Sequence, residues 1–311
     1  MPHIVAVSGP KEPAGKTFLA VNLALAFGRQ GVHTVLLDLN EGAPATDDDL
    51  RMPVLHDLNA LANGECCSDD VLVPYAHLVD LVALGTPSGW EDPANMGHLL
   101  PLVPLLEGAG VIVVDMPGED SPGRIPAARA ASVLLAVVAP EQVGSGEAHY
   151  SVNQLFHQSG DSCVRIVVNR VTSDEMAEAV CSRLEYDCTK ILGIPAECLA
   201  YVPELTPGNG SERGLLAEDS TLIGLMSGLA DRLIASAATK SQENHVLIFV
   251  EELYQAYSED EALSLSLLEM QDQGAELSGE PRIEALSFQC LITETLAKQD
   301  DSEAVLQAQG V

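Results

Sequence analysis

Two stretches of this chain, Val111-Ile112-Val113-Val114 and Val133-Leu134-Leu135-Ala136-Val137-Val138, are apolar at every position. A strand of that kind has no face to offer water, so it must be covered on both sides, as the central strands of a parallel sheet are. Short β-branched runs recur at 3–8, 34–39, 79–84, 111–116, 133–139, 164–171 and 199–203. Helical patterns fall between them, over 16–30, 98–107, 147–159, 173–186 and 215–236. The last carries Leu222, Leu225, Leu229 and Leu233 at helical period. Strands alternating with crossover helices predict an α/β fold, a doubly wound and mostly parallel sheet with helices on both faces. Ligands are expected at the carboxyl ends of its strands.

The character changes near residue 241. Residues 241–311 hold fifteen Asp and Glu against only Arg282 and Lys298, so this stretch alone carries −13. It is not uniformly polar. Val246-Leu247-Ile248-Phe249-Val250 runs into Glu251-Glu252-Leu253-Tyr254 as a helix with a face to bury. Ser258-Glu259-Asp260-Glu261 has capping-box spacing ahead of Leu263, Leu265, Leu267 and Leu268, and a further helix is expected over 282–298. The division expected is 1–240 as the α/β domain and 241–311 as an acidic helical extension suited to a protein partner. The alternative is a solvated acidic tail.

Between the first strand and the first helix lies Ser8-Gly9-Pro10-Lys11-Glu12-Pro13-Ala14-Gly15-Lys16-Thr17. In a phosphate-binding loop at such a place, backbone N–H groups and the helix N-terminus cradle phosphate. A lysine reaches the β and γ oxygens, and a hydroxyl binds Mg2+. Gly15, Lys16 and Thr17 supply those last elements. Gly-Lys-Thr alone is a weak signal, and Pro10 replaces the first glycine of the full pattern. The strand–turn–helix setting gives it weight.

Lys11, five residues before Lys16, makes the loop resemble the deviant Walker A motif of the MinD/ParA family of ATPases. The family motif reads Lys-Gly-Gly-x-Gly-Lys-Thr, and here the same span is Lys11-Glu12-Pro13-Ala14-Gly15-Lys16-Thr17. The resemblance covers roughly residues 1–238 and keeps the family's order of motifs. It implies that Asp38, ending a strand, lies near Mg2+ and the attacking water. It implies that Asp115, in Val113-Val114-Asp115-Met116-Pro117-Gly118, holds the metal through water. Asn169, in Val167-Val168-Asn169-Arg170, would read the adenine edge with Arg170 beside it, and Pro203 and Glu204 would belong to a loop closing over the base. Leu55-His56-Asp57-Leu58 followed by Gly64-Glu65 is similar to a short helix of the flagellar-number regulators (FlhG/FleN-like) within the family. ATP and Mg2+ are the cofactors so implied. Lys11, Lys16, Asp38 and Asn40 take the catalytic positions, and Thr17, Asp38 and Asp115 those around the metal. Lys11 also implies a homodimer joined through nucleotide.

The departures from the family bear on activity. Glu12 and Pro13 occupy two glycine positions, where a β-carbon hinders close backbone approach, and Pro13 lacks an N–H. Asn40 stands in Asp38-Leu39-Asn40 where the family has a second aspartate, and an amide is a far poorer base than a carboxylate. The expectation is a nucleotide-dependent spatial or motility regulator with slow hydrolysis. The alternative is a pseudo-ATPase adaptor that binds a protein partner without turnover. A metallochaperone or other enzyme of the wider family is disfavoured, because no dedicated cysteine pattern is seen.

Charge narrows the partners. Fifteen Lys and Arg against 46 Asp and Glu give a formal charge of −31 over 311 residues. Such a surface repels phosphate backbones and anionic lipid, so neither nucleic acid nor a membrane anchor is expected. Residues 304–311 hold no basic residue that would make a basic amphipathic tail. The start, Met1-Pro2-His3-Ile4-Val5-Ala6-Val7, lacks a basic region and a cleavage site, so no secretory leader is expected. Seven cysteines, an odd number spread along the chain, predict free thiols and a cytoplasmic protein. Cys181 and Cys188 read as core filler.

Overall fold

The computed structural model describes residues 2–10, 14–41, 54–90, 94–160, 163–204, 220–236 and 245–272. The first half of the chain gives β1 (His3–Ser8), α1 (Lys16–Arg29), β2 (Thr34–Glu41), α2 (Leu58–Ala62), β3 (Val73–Ala76), β4 (Val79–Gly85), α3 (Ala94–Leu99) and α4 (Leu102–Glu107). Then follow β5 (Val111–Asp115), α5 (Arg124–Ala130), β6 (Val133–Val138), α6 (Pro140–Ser145), α7 (Glu147–Gln158), β7 (Val164–Val171) and α8 (Asp174–Tyr186). A π-helical turn (Asp187–Leu192), β8 (Ala196–Pro203), α9 (Ser220–Ser236) and α10 (His245–Asp272) follow, and a 3-10 turn (Ser68–Val71) lies between α2 and β3.

The strands form one sheet in the order β3-β4-β2-β5-β1-β6-β7-β8, parallel except for the antiparallel pair β3–β4. From β1 the chain crosses to β2 on one side and later returns to β6 on the other. The carboxyl ends of β1, β2 and β5 therefore meet at a topological switch point. Every residue of β5 and β6 is buried, as the two apolar runs require. Side chains alternate between two cores. One holds Val5, Val7, Leu36, Val113 and Leu135 under α1 and α9, and the expected stripe residues Leu222, Leu229 and Leu233 lie within it. The other holds Ile4, Ala6, Leu37, Val114 and Leu134 under α2, α4, α5, α7, α8 and α10.

The differences from the sequence reading are local. β3 is an eighth strand, short and carrying Pro74, a residue that only an edge strand tolerates. The single helix expected over 98–107 is two, because Pro101 sits at the break. The short helix α2 is present, with Asp57 Oδ1 accepting from the Ala60 N–H at 2.8 Å. β8 starts before the run expected at 199–203 and is bulged between Cys198 and Ala200 where it pairs with β7. At that bulge Glu185 of α8 accepts from the Cys198 N–H, and Arg232 of α9 donates to the Leu199 carbonyl. Free thiols were expected throughout. Instead Cys181 and Cys198 form a disulfide between α8 and β8, their Cα atoms 5.7 Å apart, well within bridging range. Cys188 is core filler as expected, its thiol pushed up to about 12 by burial and then by Asp187.

The boundary expected at residue 240 and the helix expected over 282–298 lie outside the described residues. The first turns of α10 share the core of the sheet: Val246, Phe249, Val250, Leu253 and Tyr257 are all buried, at helical spacing. Trp90, fully buried, stacks on Tyr254 with ring centroids 6.3 Å apart and meets Tyr257 edge-on at 5.4 Å.

Burying each such apolar side chain is worth roughly 1.5–3 kcal/mol, so these turns of α10 carry several kcal/mol. Ending the chain before His245 should lower the melting temperature by more than about 10 °C. Trp90 is the single tryptophan of the chain, so its emission reports the seat of α10 directly. A red shift should accompany the truncation. An unchanged spectrum and melting temperature would show that α10 is dispensable to the core.

Candidate functional site

The site is built where β1 hands over to α1. A β-carbon at Gly9 would fall 2.2 Å from the Val137 carbonyl oxygen of β6, so only glycine lets the chain leave the sheet there. Gly15 has φ +86° and immediately precedes α1, with the Leu19 N–H bonded to its carbonyl at 3.0 Å. Among the described residues no side chain caps α1 and no acid lies in its first turn. Its first N–H groups and the positive end of its dipole are thus left for an anion. Lys16 Nζ donates to the Pro10 carbonyl at 2.8 Å. Burial lowers the Lys16 pKa, with Asp115 opposing that shift and Arg124 adding to it. Lys11, Glu12 and Pro13 lie outside the described residues.

The acids come from the neighbouring strands. β2 and β5 run in register, which sets Asp38 directly beside Asp115, and both are buried. Asn40 joins them: its Nδ2 donates to Asp38 Oδ1 at 2.7 Å and to Asp115 Oδ2 at 3.0 Å, while its backbone N–H donates to Asp38 Oδ1 at 3.0 Å. Thr17 Oγ1 donates to Asp115 Oδ2 at 2.7 Å. The other oxygen, Asp115 Oδ1, is buried without a hydrogen-bond partner among the described residues. Burial first and then the Asp38 charge push the Asp115 carboxyl up to about 7, against the opposing pull of Thr17, Lys16 and Asn40. Two adjacent buried carboxylates, one with an unused oxygen, next to a threonine hydroxyl and a lysine, fit a hard divalent cation with a phosphate ligand.

On the opposite flank, Asn169 of β7 donates through Nδ2 to the Ala14 carbonyl at 2.8 Å and accepts from the Arg170 N–H at 2.9 Å. It packs so closely on Gly15 that a β-carbon there would meet Nδ2 at 2.3 Å. Asn169 therefore braces the phosphate loop in this structure. Arg170, with φ +61°, pairs with Glu141. Pro203 lies in register with Val171, and the Glu204 N–H bonds to the Val171 carbonyl at 2.9 Å. Thus Lys16, Thr17, Asp38, Asn40 and Asp115 gather at one place, and Gly15 and Asn169 adjoin it. Arg170, Pro203 and Glu204 line the ends of β7 and β8 beyond.

Arg124 escaped the sequence reading. It is buried at the start of α5, its Nε donating to Gln158 Oε1 at 3.0 Å and its Nη1 to the Pro117 carbonyl at 3.3 Å. Its Nη2 has no hydrogen-bond partner among the described residues, and burial lowers its pKa. It thereby anchors the loop that follows Asp115. Nothing in its spacing marks it apart from an exposed arginine at a helix start. Ser8, at the end of β1, left no signal either; its buried Oγ has no partner among the described residues.

Residues 5–207 match the family described as the CobQ/CobB/MinD/ParA nucleotide binding domain. The chain is 26% identical over 205 residues to the antiactivator FleN of Pseudomonas aeruginosa, covering 65% of this chain and 73% of that protein. It is 25% identical over 233 residues to a putative septum site-determining protein MinD of Guillardia theta, covering 72% and 85% respectively. Among solved structures, the MinC:MinD cell division protein complex of Aquifex aeolicus aligns with a TM-score of 0.59 at 20% identity. That alignment covers 77% of this chain and 99% of the matched one.

The raised Asp115 carboxyl has a measurable sign. Raised to about 7 from the ordinary carboxylate range, it permits stability that is complete at low pH and is lost as pH rises through about 7. Asp115→Asn removes that loss. In protein free of metal and nucleotide, the variant should gain several degrees in melting temperature over the wild type at pH 8, and little at pH 4. A difference that does not change with pH would show that Asp115 titrates normally.

Proposed function

The chain belongs to the CobQ/CobB/MinD/ParA family of nucleotide-binding domains, and from that premise we propose that it is a cytoplasmic ATP-dependent switch of MinD/ParA type, a spatial or motility regulator with slow hydrolysis. The observation that carries the reading is the Asp38–Asn40–Asp115–Thr17 cluster beside Lys16. Its likeness to FleN favours the flagellar-type branch.

In this reading Lys16 exchanges the Pro10 carbonyl for phosphate oxygens, and the open start of α1 receives the same anion. Thr17, Asp38 and Asp115 are the residues that would hold the cation. Mg2+, when bound, neutralises charge on the phosphate oxygens. Asn40 can orient a water through its amide, yet it cannot take the proton as a carboxylate would. Turnover is accordingly slow. A slow switch suits a protein whose nucleotide-bound homodimer, with Lys11 reaching across, persists long enough to present a face to a partner. The acidic stretch beyond Tyr257 supplies a contact for a basic partner surface.

Asn40 also favours a second reading, a pseudo-ATPase adaptor in which nucleotide binds weakly or not at all. The two readings part on direct measurement. For the switch, calorimetry should show Mg·ATP binding that Lys16→Ala abolishes while the fold survives. Asn40→Asp should raise hydrolysis by about 10²-fold by restoring a carboxylate near the water. It should also make the metal-free protein less stable, because it sets a third carboxylate against Asp38 and Asp115. Equal binding by wild type and Lys16→Ala would remove the phosphate-loop assignment, and no binding at millimolar Mg·ATP would favour the adaptor.

A further inference from the structure

Tyr257 lies three turns into α10, buried, with its ring against Trp90 and against the backbone of the loop that follows Asp115. A β-carbon at Gly123 would come within 2.7 Å of the Tyr257 hydroxyl and 3.1 Å of its ring, so that loop fits the tyrosine only with glycine there. The hydroxyl is 3.1 Å from Ser121 Oγ, and Ser121 Oγ donates to Glu41 Oε1 at 2.8 Å. A serine has one hydroxyl hydrogen. Because Ser121 gives it to Glu41, the Tyr257 O–H is the donor to Ser121. Glu41 ends β2, three residues after Asp38, and Ser121 lies six residues after Asp115. Tyr257 of α10 thus touches the loop after β5 directly and is linked to the end of β2 through Ser121.

We infer that Tyr257 is a positioning residue, tying the end of β2 and the loop after β5 to α10 so that the seating of this helix and occupation of the metal–nucleotide site are linked. This rests on the reading of that site as one for Mg·ATP. A small hard cation demands its ligands at nearly fixed geometry, and the two acids stand on separate segments. Inside the cluster Asn40 bridges them, and further out the chain Tyr257–Ser121–Glu41 bridges the same two segments. The linkage is reciprocal: whatever lifts α10 weakens cation and nucleotide, and bound Mg·ATP holds α10 down. The helix continues to Asp272 within the stretch that carries −13, so a basic partner taking hold there would act on the site through Tyr257.

The test uses the full chain. Tyr257→Phe keeps the ring and removes the hydroxyl. In nucleotide-free protein, amide exchange across residues 116–123 should quicken by about 3- to 10-fold, while amides at 246–253 keep their protection. Mg·ATP affinity should fall by a similar factor. Ser121→Ala, which breaks that bond and the one to Glu41 as well, should do at least as much, and the double variant should be no worse than Ser121→Ala alone. Gly123→Ala, which displaces the ring from the other side, should act in the same direction. Unchanged exchange and affinity in Tyr257→Phe, or additive effects in the double variant, would overturn the inference. If wild type binds no Mg·ATP, the nucleotide reading fails and the link to it falls. The exchange measurement then decides by itself whether Tyr257 holds the two segments.

Discussion

Two carboxylates forced side by side out of water set the conditions for everything around them. The parallel register of β2 and β5 leaves Asp38 and Asp115 no choice of separation, and the sheet denies them solvent. Two buried like charges are costly unless hydrogen bonds or a cation answer them. Here the Asn40 amide, the Thr17 hydroxyl and the nearby Lys16 give a partial answer, and Asp115 Oδ1 has none among the described residues. A fold that carries such a defect at its switch point is poised for a cation. The Asn40 bridge keeps the defect tolerable in the interval.

What could be read from the sequence was what local pattern controls. The two all-apolar strands announced a covered sheet, and Gly15-Lys16-Thr17 behind a strand announced the glycine turn into α1. The short helix after Asp57 was legible only through the family resemblance; its cap by Asp57 is a finding of the structure. The remainder depended on contacts between distant segments, which composition and period do not encode. Asn169 shows this well: its place at the end of a strand was legible, but its bond to the Ala14 carbonyl, 155 positions away, was not. Arg124 has the spacing of any surface arginine, and only the packing of α5 against α7 puts it in the interior. The apolar run beginning at Val246 was visible as a face in need of cover. That its cover is Trp90 and α5 required the three-dimensional arrangement.

The charge distribution bears on the same site. A chain of −31 must still draw in a polyanionic ligand if it is to bind nucleotide. It meets that demand locally, by the uncapped start of α1 and by Lys16, with Arg124 behind the loop after β5. Fields of this kind fall off within about one Debye length, so a short-range positive focus can coexist with a strongly acidic exterior.

The bulge in β8 has a consequence for assembly. An outermost strand normally presents a ladder of open backbone groups on which another chain can template itself. On β8 two groups at the bulge are already engaged, the Cys198 N–H by Glu185 and the Leu199 carbonyl by Arg232. At the opposite margin β3 is four residues long and interrupted by Pro74. Neither margin offers an incoming strand a continuous row of partners. Among the described strands, extending the sheet from one molecule into the next would mean forgoing backbone partners at both margins.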